Sequence, residues 1–372
     1  MREEKVEEIQ GFLNTRELEA YLTQALNMAL GSDADGETSY TNAFEIRVTK
    51  VDDTEGFLFI PRLPANYRVD RQLMEAIYAI ASIVLYPQYT LLKQNNLYLV
   101  PLNEDIHTAR ALFFPWKKGI SKRLVITDLA SFASKQTSQQ LPIMDNVIVN
   151  LNKVVGIAIA GNSGSGKSYF LTYLLEMLSE QGKLIVIDPK MDTPSRWAKG
   201  AGIKTLFPAS NRSKADFVSQ VNEELSNALN IVYERQRELY NNSNKDFEHY
   251  YIVIDELLAL SEGINKAIKD AFFSLLSQIA LLGRATHVHL VLCSQRFDNT
   301  AIPLSVREQL NVLIQLGNIS KRTTQFLFPD LDPSNIVIPL GKGTGLIQVI
   351  DSEHPYQVLP LLCPTYYLKG GG

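Results

Sequence analysis

The sequence predicts an α/β protein built on a mainly parallel sheet, with a small α+β domain ahead of it. Three observations lead there. The segment Gly161-Asn162-Ser163-Gly164-Ser165-Gly166-Lys167-Ser168 lies between an apolar run, 154–160, and a helical pattern carried by Tyr169, Phe170, Leu171, Leu174, Leu175, Met177 and Leu178. Further apolar runs at 183–188, 250–255, 287–293 and 311–316 alternate with helical stretches, as in a parallel sheet. The early part of the chain reads differently: two short runs, 44–48 and 56–60, look like paired strands between helical segments.

In chain order, residues 3–30 read as amphipathic helix through Val6, Ile9, Leu13, Leu22, Ala25, Leu26 and Leu30, broken near Gly11, with Asn14 and Glu17 capping the second segment. Residues 31–41 form a polar loop, 71–85 a helix and 97–100 a strand. This gives a domain over 1–130 in which no catalytic constellation stands out, suited to docking or assembly. The stretch 131–140 is rich in Ser, Gln and Lys, so 131–143 is expected to be a linker. The larger domain is expected to occupy 144–372, with late strands at 343–350 and 357–362.

Composition is that of an ordinary globular chain: 372 residues, 45% hydrophobic and 20% charged, with net charge −4. The negative charge gathers in residues 1–40, which hold three basic and nine acidic side chains, a solvated helix face. The rest is close to neutral, which does not advertise nucleic acid and does not exclude a basic channel inside an acidic exterior. The longest apolar stretch, 76–86, is about half of what a membrane span needs, so no membrane insertion is expected. No secretory signal opens the chain, and Cys293 and Cys363 form no framework, so a bacterial cytoplasm is the expected setting.

The chemistry is concentrated in three places. In the glycine-rich loop, backbone N–H groups of Gly161, Asn162, Ser163, Gly164, Ser165, Gly166 and the helix start through Tyr169 can face phosphates, Lys167 can bridge them and Ser168 can hold Mg²⁺. This P-loop arrangement implies a nucleoside triphosphate, with ATP and Mg²⁺ as the expected cofactors. The run Tyr250-Tyr251-Ile252-Val253-Ile254 ends in Asp255-Glu256, a Walker B pattern: Asp255 on the Mg²⁺ side, Glu256 to polarise the attacking water. The run 287–293 ends in Ser294-Gln295-Arg296, which puts Gln295 where a γ-phosphate can be sensed. His287 and His289 on that run read as packing or hydrogen-bonding residues.

The order of these motifs, with Asp188-Pro189-Lys190 after the second strand and Gly283-Arg284-Ala285 before the third, resembles the FtsK/SpoIIIE branch of the HerA–FtsK ATPases over about 140–362. The resemblance implies a RecA-like core, assembly into a homo-oligomer, a hexameric ring, and ATP-driven pumping of double-stranded DNA. It also implies that Arg284 reaches into a neighbour's site, that Gln295 is the sensor, and that Arg322 matches a family Ser-Arg-Thr segment. Lys266 and Lys269, three apart on one helix, are candidates for DNA backbone contact. Two departures stand out: the family's Gln-Arg-Pro is Gln295-Arg296-Phe297, and its Gly-Arg-Gly-Asp is Gly341-Lys342-Gly343-Thr344. With neither the membrane-spanning region nor a winged-helix reader in the sequence, the chain resembles compact coupling ATPases of plasmids and integrative elements, with a relaxase, replication or transfer-machinery protein as partner. A protein-secretion motor and an ATP-switched, non-motor binding protein are the alternatives.

Overall fold

The computed structural model describes residues 14–30, 43–65, 67–94, 96–137, 139–145, 147–339, 341–351 and 357–367. The first part of the helical stretch expected over 3–30, residues 3–13, and the loop expected at 31–41 lie outside them. The chain divides into two compact units, residues 1–120 with 335–337, and 121–334 with 338–372.

In the smaller unit, α1 (Thr15–Leu30) buries Leu18, Leu22, Leu26 and Leu30, one residue per turn on a single stripe. Its start is capped as the sequence predicts: the Asn14 N–H donates to Glu17 Oε2 at 3.1 Å and the Glu17 N–H to Asn14 Oδ1 at 3.0 Å. Strands β1 (Phe44–Val51) and β2 (Thr54–Pro61) pair antiparallel. Helix α2 (Arg71–Leu85) begins at Asp70, whose side chain accepts from the Leu73 N–H. Short strands β3 (Tyr89–Leu91), β4 (Lys93–Gln94) and β5 (Leu99–Pro101) follow, then β6 (Arg110–Lys118). The sheet order is β1-β2-β6-β3, with β5 also on β6. Both helices bury their apolar faces with Phe57, Phe59, Phe114 and Trp116 from the strands.

The larger unit opens with β7 (Val125–Ile126), α3 (Leu129–Ala133) and the hairpin β8 (Gln140–Met144) and β9 (Val147–Asn150). The linker expected at 131–143 is therefore structured, and the boundary falls after Ile120. The polarity that suggested a linker is one-sided: Ser134, Lys135, Thr137 and Gln140 are exposed, whereas Leu129, Ala133, Leu141 and Ile143 join the core around Phe170 and Leu174.

Next come β10 (Gly156–Gly161), α4 (Lys167–Ser179), β11 (Gly182–Ile187), α5 (Thr193–Gly200), β12 (Lys204–Leu206) and α6 (Lys214–Asn241). Then follow β13 (His249–Ile254), α7 (Leu257–Ser261), α8 (Lys266–Leu282), β14 (Val288–Ser294), α9 (Leu304–Arg307), β15 (Val312–Leu316), α10 (Lys321–Thr324), β16 (Thr344–Val349), β17 (Gln357–Leu362) and β18 (Thr365–Tyr366). The sheet runs β12-β11-β13-β14-β10-β15-β16-β17, parallel from β12 to β15 and antiparallel beyond. The first long strand, β10, thus lies between two later ones, and its C-terminal tip opens at a switch in strand order, where α/β sheets bind ligands.

Helix α8 gives a direct check on where the core lies. Leu276 is fully buried and Leu281 is 56% exposed. Leu276→Ala is expected to cost about 2–5 kcal/mol and Leu281→Ala to stay within about 0.5 kcal/mol, read from urea unfolding at a fixed nucleotide concentration.

Candidate functional site

The loop between β10 and α4 is shaped by its glycines. Gly164 and Gly166 take φ of +80° and +96°, a region costly for other residues, and a Cβ on Gly161 would lie 2.5 Å from Ser165 Oγ. The loop folds around a recess of about 350 Å³ lined by Asn162, Ser163, Gly164, Gly166, Lys167, Ser168, Tyr169, Lys190, Asp192 and Gln295. The N-terminus of the thirteen-residue α4 lies at this recess, which favours anions. The side chain of Tyr169 does not serve the recess. It stacks on Tyr366 with ring centroids 4.1 Å apart, and its hydroxyl donates to the Tyr366 carbonyl and accepts from the Tyr366 N–H, both at 2.7 Å.

Asp188, fully buried at the end of β11, shapes the opposite wall. Its carboxylate accepts from the N–H groups of Lys190 at 2.8 Å, Met191 at 3.1 Å and Asp192 at 2.8 Å. That turn delivers two residues the sequence reading gave no role. Asp192 Oδ2 accepts from the Ser168 hydroxyl at 3.3 Å, and Lys190 Nζ donates to Glu256 Oε2 at 2.6 Å.

The acidic pair follows β13. Asp255 and Glu256 are 2% and 3% exposed, and their N–H groups donate to Ile187 O and Cys293 O, so the neighbouring strands fix both. Glu256 has φ +73°, uncommon for a residue with a side chain. Its carboxylate accepts from Lys190, from Lys167 Nζ at 3.5 Å, from the Gln295 N–H at 3.1 Å and from the Ser294 hydroxyl at 3.4 Å. Burial opposes its charge, but Lys190, Lys167 and the Gln295 amide outweigh it and hold Glu256 below the usual carboxylate range. Asp255 goes the other way: burial, aided by the nearby Asp188 charge and only partly offset by Lys167, pushes it up to about 6. Two adjacent carboxyl groups are thereby shifted in opposite directions.

Beyond Glu256 the recess widens into a second, of about 930 Å³, lined among others by Asn162, Glu256, Gln295, Arg296, Gln315 and Arg322. Asn162 and Gln295 line both recesses. Gln295 thus lies where the two recesses meet, and its backbone amide also holds Glu256.

Three predicted residues lie elsewhere. Arg284 is exposed and precedes β14, whose opposite end carries Ser294 and Gln295. The strand is parallel to β10 and seven residues long, which puts Arg284 roughly 20 Å from its own P-loop. Its turn is firmly mounted: Arg235 Nη1 donates to Thr286 O at 2.7 Å and Glu248 O at 2.8 Å. Beside it, His249 Nδ1 and His289 Nε2 are 2.8 Å apart and His287 stacks on His249. Burial drives His249 and His289 down to about 4 and about 3, so both are neutral structural groups. Lys266 is exposed at the start of α8, and Lys269 Nζ lies 5.2 Å from the Phe273 ring centroid.

Residues 138–330 match the family described as helicase HerA, central domain. The FtsK domain-containing protein YdcQ of Bacillus subtilis is 25% identical over 206 residues, 53% of this chain and 41% of that protein. DNA translocase FtsK of Helicobacter pylori is 29% identical over 164 residues, 40% of this chain and 19% of its own length. The chain thus spans less than half the length of these curated relatives. Among solved structures, the pCW3 conjugation coupling protein TcpA, a monomer form with ATPγS, aligns over 94% of this chain and 95% of its own with a TM-score of 0.52 and 16% identity. That likeness is one of fold. Because the HerA match takes in just over half of the 372 residues, the chain belongs to the HerA–FtsK family of P-loop ATPases.

Proposed function

We propose that this chain hydrolyses ATP to move double-stranded DNA, acting in the bacterial cytoplasm as a ring of identical subunits, a hexamer. It hands DNA to the transfer or replication machinery of a plasmid or integrative element through a relaxase or similar partner. The observation that carries the reading is the placement of Arg284. An exposed, well-mounted arginine roughly 20 Å from its own phosphate recess serves hydrolysis only in an adjacent subunit's recess. The named relatives, DNA translocases and a conjugation coupling protein, support DNA as the substrate.

In this mechanism the loop amides and Lys167 bind and orient the triphosphate. Glu256, kept ionised by Lys190 and Lys167, accepts a proton from the attacking water. Gln295 lies against the terminal phosphate, and Arg284 of an adjacent subunit stabilises the charge of the transferring phosphoryl group. The donor set fits Mg²⁺: the Ser168 hydroxyl and the Asp255 carboxylate are hard oxygen ligands, and a carboxyl group pushed up to about 6 by burial is ready to gain from a cation. Bound there, the ion would neutralise charge on the β- and γ-phosphates. Lys266 and Lys269 are the candidate contacts to DNA phosphates.

Glu256→Gln is expected to lower kcat by about 10²–10⁴-fold while ATP stays bound, measured by steady-state hydrolysis with and without linear double-stranded DNA and by filter binding. Unchanged turnover would remove Glu256 from the role of base, and wild-type hydrolysis indifferent to all DNA would remove the translocase reading. Arg284→Ala is expected to cost about 10³–10⁵-fold in hydrolysis without loss of nucleotide affinity. Mixing it with Lys167→Ala subunits should restore activity, since each variant supplies what the other lacks; absence of complementation counts against a role in trans. Lys190→Ala removes a group that lowers the Glu256 pKa, so the acid limb of kcat/KM should move to higher pH. A limb that stays in place would mean that Glu256 is not the titrating base.

A further inference from the structure

We propose that Gln315 is a water-positioning residue: its carboxamide oxygen and the Glu256 carboxylate hold one water molecule between them for attack on the terminal phosphorus. The proposal rests on the hydrolysis reading above and adds a residue that neither the motifs nor their order single out.

Gln315 interrupts the apolar strand Val312–Leu316 and is 3% exposed. Its Nε2 donates to the Leu316 carbonyl at 3.4 Å, and among the described residues Oε1 has no hydrogen-bond partner. Buried acceptors seldom remain unpaired, so a donor belongs there. Register says where that donor sits. Ala160 on β10 is the lateral partner of Ser294 on one side and of Gln315 on the other, so the three side chains project from the same face of the sheet. The Ser294 hydroxyl donates to Glu256 Oε1. Glu256 and Gln315 therefore stand on either side of Ala160, whose methyl group is all that β10 contributes between them, with Ser294 and Gln315 about 10 Å apart at Cα. Both line the larger recess, which meets the phosphate recess at Asn162 and Gln295.

Two buried acceptors on residues that line one recess call for a species with two donors. A water molecule donating one proton to Glu256 and one to Gln315 keeps a lone pair free. In the step, the water oxygen bonds to the γ-phosphorus as the bond from phosphorus to the β–γ bridging oxygen breaks. The electron pair leaves on ADP, one water proton passes to Glu256, and the other stays on the phosphate released. Gln315 accepts a hydrogen bond throughout and is not itself protonated.

The test compares wild type, Gln315→Leu, which keeps the volume and removes the acceptor, and Gln315→Glu, which keeps an acceptor. Readouts are kcat, KM, ATPγS affinity, melting temperature and the pH profile. Gln315→Leu should lower kcat 10- to 100-fold, with KM, ATPγS affinity and melting within experimental spread of wild type. Gln315→Glu should retain more of the rate at alkaline pH. Its acid limb should lie above the wild-type limb, because two carboxylates sharing one water raise each other's pKa. A Gln315→Leu rate within twofold of wild type overturns the assignment. So does a loss of ATPγS affinity or melting temperature in both variants, which would make Gln315 a packing residue. Wild-type protein that binds ATPγS but does not hydrolyse ATP overturns this assignment and the ATPase reading together.

Discussion

One buried carboxylate held by two ammonium groups sets the layout of the larger unit. Glu256, 3% exposed, is bridged by Lys190 and Lys167. Removing these charges from water is costly unless they meet in good geometry, and each comes from a different element: the first residue of α4, the turn after β11 and the tip of β13. Only strands that run parallel and end at one edge bring such tips together. The apolar strands, the tight glycine loop and the Asp188 turn can all be understood as means of delivering three charged groups to one point. The left-handed backbone at Glu256 carries a local strain, tolerated because Asp255 and Glu256 donate backbone hydrogen bonds to the two flanking strands.

Asp255 and Glu256 show how far neighbours can diverge. They are adjacent in sequence and similarly buried, yet burial dominates for the first and the two lysines dominate for the second. The difference lies in which face of the β13 tip each side chain takes, and composition alone carries no trace of that. It raises the pKa of one carboxyl group and lowers that of the other.

Much of this was legible in the sequence. The strands of the larger sheet announce themselves as apolar runs, and the phosphate loop and acid pair by spacing, because few backbones other than strand, turn and helix satisfy them. What stayed hidden depends on three dimensions. The polar stretch 131–140 looks like a linker until α3 and β8 are seen to turn an apolar side inward. Lys190 and Asp192 gain their roles only through the turn that Asp188 closes. The ring of Tyr169 leaves the phosphate loop for Tyr366, nearly two hundred residues on. Gln315 is a single polar letter within an apolar strand, and only pairing register places it across from Ser294. Strand β6, with Pro115 in its middle and basic residues at its end, lacks the clean alternation that marks β1.

Strand β14 has a consequence of its own. It ends beside Gln295, which lines both recesses, and begins after the turn bearing Arg284, and between them it is buried along its whole length with neighbours paired on both sides. A fully paired strand does not stretch, so a small tilt forced at one tip is returned at the other, as in a rigid rocker arm. In the proposed ring, the two ends of such an arm would rest in different catalytic sites, and the strand would then set the order in which subunits fire.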